Sequence, residues 1–261
     1  MNMELLRKPI PGTSPSELMP PEVCNQFQMH AMEMYPQECV GYVKYGQYHR
    51  LENVSQVPEA SAKIDPVVML GLLDEGIDVF CHSHPDGPDC PSAHDLKSQH
   101  EMAVPWSIVS TNGKGCLAPF VWGEGVAKPP LLGRPFRHGL EDCYGLIRDF
   151  YAVVMGIELA DAWRDWEWWR NCEDSEGLYE ENFAKWGFSV VEGELEVGDV
   201  FLLRAGARVP NHAGIYLGDH LMLHHLSGRS AADVSCISTV EPTIRWAIDR
   251  RLVKTVRYGG K

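Results

Sequence analysis

Two histidines one residue apart, His82 and His84 in His-Ser-His-Pro, are followed by Ser92-Ala93-His94-Asp95, with Ser92 seven positions after Pro85. Side chains alternate along a strand, so both imidazoles share one face of an extended segment. Ser92 and Asp95, three apart, share a face where a helix opens. Two nitrogen ligands and one carboxylate suit a zinc ion whose fourth position is left to water, the pattern of catalytic rather than structural zinc. Ser92-x-x-Asp95 after Pro91 is equally a helix-capping signature. The two readings are compatible, because a cap fixes the helix that presents Asp95. His94 lies off the pattern and reads as a bystander. Cys81 and Cys90 flank the histidines, but Cys81 adjoins His82 and points to the opposite face of a strand.

Upstream, Tyr35-Pro36-Gln37-Glu38-Cys39-Val40-Gly41 reads as a helix stop followed by a strand, with Glu38 at its start. With Glu38 in Pro-x-Glu-x-x-Gly, then His-x-His-Pro, then Ser-x-x-Asp, residues 15–122 resemble the JAMM/MPN metallopeptidases. That resemblance implies His82, His84 and Asp95 as zinc ligands, Glu38 as general base toward the metal-bound water, and Ser92 as stabiliser of the tetrahedral oxyanion. The physical roles agree: zinc lowers the pKa of bound water to about 7, and a neighbouring carboxylate can pass its proton to a leaving amine.

The second half carries different chemistry. Asp142-Cys143-Tyr144-Gly145-Leu146-Ile147 reads as a helix that begins at a cysteine, with Asp142 as N-cap. A thiol in the first turn feels the positive end of the helix dipole, which favours thiolate, although burial as an inert thiol is the commoner fate of cysteine. Val197-Gly198-Asp199 reads as a turn into a buried strand. Residues 211–219 and 220–225 then read as a hairpin that sets His212 nearly opposite His224. A thiol, a base histidine and a third polar group orienting the base make the triad arrangement in general form. These segments resemble the NlpC-type, papain-like cell-wall peptidases over residues 134–261. The resemblance implies Cys143, His212 and His224 as the catalytic set, with His225 as the alternative orienter. Tyr144 stands where many relatives have a small residue.

These residues need elements to hold them. Pro21–Met34 and Pro66–Glu75 read as helices, and Ile77–His82, Trp106–Ser110 and Cys116–Val121 as strands. The expected fold is α+β in two domains: a JAMM/MPN-like sandwich over 1–122 and an NlpC-type papain-like domain over 136–261. Between them, 123–135 has linker composition, rich in glycine and proline. Trp163, Trp166 and Trp169 are expected on one helix face, packed against the sheet or, in the alternative, forming a glycan-stacking or partner-docking surface.

Composition narrows the function. The chain has 261 residues and 23 basic against 36 acidic side chains, a formal net charge of −13. That argues against nucleic acid or an anionic membrane as main partner, and sits awkwardly with adsorption to an anionic cell wall. No apolar run near 18 residues is present, and the N-terminus lacks the pattern of a signal peptide. Folding in a host cytoplasm is therefore expected, and the eight cysteines (24, 39, 81, 90, 116, 143, 172 and 236) read as free thiols. A metallopeptidase module followed by a cysteine-peptidase module resembles the tail assembly protein K family of long-tailed bacteriophages. That resemblance implies a tail-tip assembly factor, partnered by other tail-tip proteins, with zinc as cofactor and cell-wall peptide as a substrate. The expected settings are the host cytoplasm during assembly and the virion tail tip. The competing expectation is a scaffold that keeps both folds without turnover. An isopeptidase acting on ubiquitin-like tags is a third, disfavoured by the attached wall-peptidase module.

Overall fold

The computed structural model describes residues 3–172, 177–227, 238–243 and 251–260. The chain divides into two compact units: Pro11–Lys128, and the residues up to Ile10 together with those from Pro129 onward. Each unit is α+β with its own sheet and its own core.

The first unit runs α1 (Pro15–Leu18), α2 (Pro21–Met34), β1 (Val40–Lys44), β2 (Gln47–Leu51), α3 (Pro66–Glu75), β3 (Val79–Pro85), α4 (Ala93–Met102), β4 (Trp106–Thr111) and β5 (Phe120–Trp122). Its sheet has the order β2-β1-β3-β4-β5. β3 and β4 are parallel, joined through α4, and the other pairs are antiparallel. Val23, Phe27 and Ala31 of α2 pack with Val79 and Cys81 of β3 in one core cluster. Alternation therefore turns Phe80, His82 and His84 to the opposite face, where the rings of Phe80 and His82 meet Trp106. The crossover brings the start of α4 back to the carboxyl end of β3, the position at which open α/β sheets gather ligands.

The strand bounds differ from the sequence expectation, by three or more residues at two ends. β3 extends to Pro85, because parallel pairing with β4 continues through Pro85↔Thr111. Cys116 makes only an isolated bridge with Thr111, and β5 begins at Phe120. Pro119 has no N–H to offer a ladder, so the strand starts after it.

The second unit runs α5 (Cys143–Phe150), α6 (Leu178–Asn182), β6 (Phe188–Val190), β7 (Val200–Leu203), β8 (His212–Gly218), β9 (Leu221–His224), β10 (Thr239–Pro242) and β11 (Leu252–Tyr258). The sheet order is β10-β9-β8-β7-β11-β6, with every pair antiparallel. Leu146, Ile147 and Phe150 of α5 join Val200, Leu202, Ala213 and Ile215 in the core. Asp219 and His220 take the left-handed backbone that a two-residue hairpin turn between β8 and β9 requires.

Trp163, Trp166 and Trp169 do not share a helix, contrary to expectation. A π-helical turn after α5 (Tyr151–Met155) ends at Gly156, φ 67°, and no helix resumes before the short 3-10 turn Trp168–Asn171. Tertiary contacts override helix propensity here: Trp166 and Trp169 pack edge-on to His138, and Arg164, next to Trp163, is drawn into a buried ion pair. The seven described cysteines are free, and Cys236 lies outside the described residues.

The glycine- and proline-rich stretch 123–135 is packed. Val126 and Leu131 are buried, and Arg134 is wholly enclosed. The Arg134 guanidinium gives Nη1 to Asp149 Oδ2 at 2.6 Å, Nε to the Pro130 carbonyl and Nη2 to the Pro129 carbonyl. Removing Arg134 takes from buried Asp149 the guanidinium that balances its charge, a change that in buried pairs costs about 3–5 kcal/mol. Arg134→Ala is accordingly expected to destabilise the second unit by that amount in urea unfolding read by amide exchange in β7 and β8. Lys97→Ala, which breaks only an exposed pair with Glu101, is expected to cost under about 1 kcal/mol. A loss below about 1 kcal/mol for Arg134→Ala would contradict this account of the segment.

Candidate functional site

The two units each gather one set of the residues singled out above. In the first, β3 supplies His82 and His84, and α4 supplies Asp95 from its first turn. His82 Nε2 and His84 Nε2 are 3.1 Å apart. Asp95 Oδ1 is 3.2 Å from His82 Nε2, and Asp95 Oδ2 is 3.4 Å from His84 Nε2. Zinc bonds of about 2.0–2.1 Å set tetrahedral ligand atoms about 3.4 Å apart, so the two imidazole nitrogens and the Asp95 carboxylate lie at distances compatible with one zinc ion. Among the described residues this is the cluster with metal-holding geometry, and neither Cys81 nor Cys90 belongs to it. Exposed His94 is also outside it.

The surrounding groups orient these three side chains. His84 Nδ1 lies 3.1 Å from the Pro88 carbonyl, an acceptor, which places the ring proton on Nδ1 and leaves the Nε2 lone pair toward the cluster. His82 is almost fully buried, and its Nδ1 makes no hydrogen bond among the described residues. Ser92 caps α4: its backbone N–H and its hydroxyl both donate to Asp95 Oδ2, at 2.8 and 2.7 Å. The hydroxyl also accepts from the Asp95 N–H. The capping box thus forms while Asp95 still faces both imidazoles.

Glu38 precedes β1 and is buried. The register Val40↔His82, continued through the bonds between Cys39 and Ser83, sets Glu38 opposite His84. Burial raises the Glu38 carboxyl, against the pull of His82 and His84, and Asp95 adds to the rise. Burial also acts to raise Asp95, but the two imidazoles reverse this and hold it well below the usual carboxylate range. Burial opposes protonation of His84, whose hydrogen bond to Asp95 more than compensates and raises it.

In the second unit Cys143 is the first residue of α5, and Asp142 caps the helix by accepting from Gly145 N–H at 2.9 Å. Gly145 is required there, since a Cβ would fall 1.7 Å from the Leu140 carbonyl oxygen. Arg164 clamps the cap with Nε to Asp142 Oδ2 at 2.8 Å and Nη2 to Oδ1 at 2.7 Å. Cys143 Sγ lies 3.0 Å from the Tyr179 hydroxyl. Cys143, Tyr179 and His212 line one cavity, walled by Phe136, Trp168 and Trp169.

His212 Nε2 and His224 Nδ1 are 3.0 Å apart. The register pairs His224 with Gly214, so His212 is its diagonal neighbour on the same face. A side chain at 214 would collide with Met222, which keeps β8 and β9 close at this point. His225 follows the end of β9 and lies edge-on to Phe136, 5.1 Å between ring centroids. His224 thus contacts His212, and His225 takes the neighbouring wall.

Burial pushes the Cys143 thiol up to about 11, with Asp142 adding to the rise; Tyr179, the Ala213 backbone and Arg164 oppose it. Burial therefore outweighs the helix-dipole effect expected from sequence. Burial, with His224 and His225, holds His212 well below the ordinary histidine range, while Asp142 pulls the other way.

Arg164, Tyr179 and Glu241 reach this site without a sequence signal. Tyr179 stands 36 positions after Cys143. Glu241 lies 3.2 Å from His224 Nε2 through its position on the adjacent strand.

Comparison with known proteins agrees with the two-part layout. The pattern of prokaryotic homologs of the JAB domain matches residues 20–120, and that of the NlpC/P60 family matches 118–249. Tail tip assembly protein K of Escherichia phage N15 is 33% identical over 211 residues, covering 76% of this chain and 82% of that protein. Its counterpart in Escherichia phage lambda is 40% identical over 146 residues, covering 56% of this chain and 67% of that protein. A solved NlpC/P60 family protein from Bacillus cereus is 14% identical, with a TM-score of 0.34, covering 89% of this chain and 67% of that one. The chain belongs to the tail tip assembly protein K family, in which it joins a prokaryotic JAB-like domain to an NlpC/P60 domain.

Proposed function

We propose that this tail tip assembly protein is a peptidase with two hydrolytic centres, both directed at amide bonds. The cysteine centre cleaves peptide in the bacterial cell wall. The observation that carries this reading is the 3.0 Å contact of His212 with His224 at a cavity shared with Cys143. His212 accepts the Cys143 proton as the sulfur attacks the scissile carbonyl carbon. With the thiol held up near 11, proton removal accompanies attack rather than preceding it. Backbone N–H groups at the start of α5 receive the oxyanion. His212 then returns the proton to the leaving amine, and water hydrolyses the acyl-enzyme.

The second centre uses the JAB-like domain on a peptide or isopeptide bond, in a tail protein or a wall cross-link. His82 and His84 through Nε2 and Asp95 through its carboxylate are spaced to hold zinc. When bound, the ion supplies Lewis-acid polarisation of a carbonyl and lowers the pKa of water. Glu38, raised by burial, is suited to take up a proton and deliver it to the leaving amine. Ser92 holds Asp95, and it becomes an oxyanion donor once its hydroxyl turns away from Oδ2.

The protein acts in the host cytoplasm during assembly and at the virion tail tip, beside other tail proteins. Among the described residues no helix is long and apolar enough to cross a membrane. A non-catalytic scaffold is the second reading, favoured by the net charge of −13, which repels an anionic wall.

Digestion of purified sacculi by wild type, Cys143→Ala, and His82→Ala with His84→Ala, read by mass spectrometry, separates these readings. New peptide ends lost with Cys143→Ala are expected; no cleavage by folded, zinc-loaded wild type favours the scaffold. Zinc content tests the metal assignment: one ion per chain in wild type and none in the double histidine variant. Ser92→Ala is expected to weaken zinc binding about 10- to 100-fold, because Asp95 loses its orienting donor. Undiminished affinity in Ser92→Ala would remove that role.

A further inference from the structure

Glu241 stands behind the histidine pair, and its chemistry determines how that pair can work. β10 lies antiparallel to β9 with Thr239 opposite His224, which makes Glu241 the diagonal neighbour of His224 on the same face. Glu241 Oε1 is 3.2 Å from His224 Nε2, with the Thr239 hydroxyl 3.4 Å from the same nitrogen. The other nitrogen of that ring faces His212 Nε2 at 3.0 Å. Glu241 is only partly exposed, with 17% of its side chain accessible against 6% for His224.

We propose that Glu241 is a positioning residue that fixes the tautomers of both histidines. An ionised carboxylate only accepts, so the His224 proton sits on Nε2. His224 Nδ1 is then a lone pair, and the His212 proton must sit on Nε2 to donate to it. That leaves His212 Nδ1 as the lone pair able to accept the Cys143 proton. When the proton passes from Sγ to Nδ1, His212 becomes imidazolium, and the bond to His224, backed by the Glu241 charge, stabilises it. No atom is exchanged beyond that one proton. Other ionisable groups acting on His212, among the described residues, include His225 and Asp142, on the segment after β9 and at the cap of α5. This inference rests on the cysteine-peptidase reading only for its catalytic consequence, since the tautomers exist without any substrate.

The test is imidazole nitrogen NMR on the full-length protein, in wild type, Glu241→Ala and Glu241→Gln. Signals of His212 and His224 are assigned by their loss in His212→Asn and His224→Asn. Wild type is expected to show a single Nε2-protonated tautomer for both rings. Glu241→Gln, which keeps an acceptor oxygen, is expected to retain it. Glu241→Ala is expected to give mixed tautomers and, with sacculi, about a tenfold or greater loss in kcat with KM within about twofold. Unchanged tautomers in a folded Glu241→Ala protein would overturn the proposal. If the tautomers shift while wild type itself cleaves nothing, the relay stands and the peptidase reading fails.

Discussion

The Asp142 carboxylate accepts four hydrogen bonds, and all four fix the start of the helix that carries Cys143. Oδ1 takes Gly145 N–H and Arg164 Nη2; Oδ2 takes Gly139 N–H and Arg164 Nε. Arg164 is buried with it and spends its remaining donors on the Ala162 and Gly139 carbonyls. Burial alone raises a carboxyl, yet Arg164 holds Asp142 well below the usual range. Its contribution is therefore complete at neutral pH and is lost as pH falls below the ordinary carboxylate range. The network ties the turn at Gly139, the cap of α5 and the tryptophan-rich segment into one piece. Cys143 is the next residue along, so its position is inherited from that ion pair.

A carboxylate does comparable work in the first unit. Asp95 Oδ2 is occupied by Ser92, which closes the capping box and turns Oδ1 toward His82. The same oxygens that start α4 thereby aim the side chain at the two imidazoles. The parallel β3–β4 pair supplies the rest, since its crossover must return the helix start to the carboxyl end of β3. In both units a helix start serves as a positioning device: Asp142 is itself the cap of α5, whereas Asp95 is the third helical residue of α4 and closes a box with the cap Ser92.

Much of this was legible in sequence because it is local. The spacing of His82, His84 and Asp95 needs only strand alternation and one helical turn to become a cluster. The bounds of α2 and α3 follow from proline at their first turns, and Asp142 reads as a cap from its place before an apolar stripe. The hairpin that brings His212 to His224 follows from a turn signal at Gly218-Asp219. What escaped is non-local. Glu241 meets His224 only because β10 adds to β9 in one register, and Tyr179 reaches Cys143 from a short helix 36 positions on. The tryptophans misled for the same reason: helical spacing was available, but packing on His138 and the demands of Arg164 determined the backbone. The thiol is the subtlest case, since the dipole argument holds locally while burial, a tertiary property, sets the direction of its pKa.

The central claim is that one chain carries two chemically independent hydrolytic centres, and selective inhibition of the wild-type protein tests it most directly. Purified sacculi and isolated tail proteins would be incubated with the untreated protein, with protein alkylated at Cys143, and with protein stripped of metal by a chelator. New peptide ends would be read by mass spectrometry in each case. The account predicts two product sets, one removed only by alkylation and the other only by chelation, with zinc restoring the second. A single product set abolished by both treatments, or none in any sample, would contradict it.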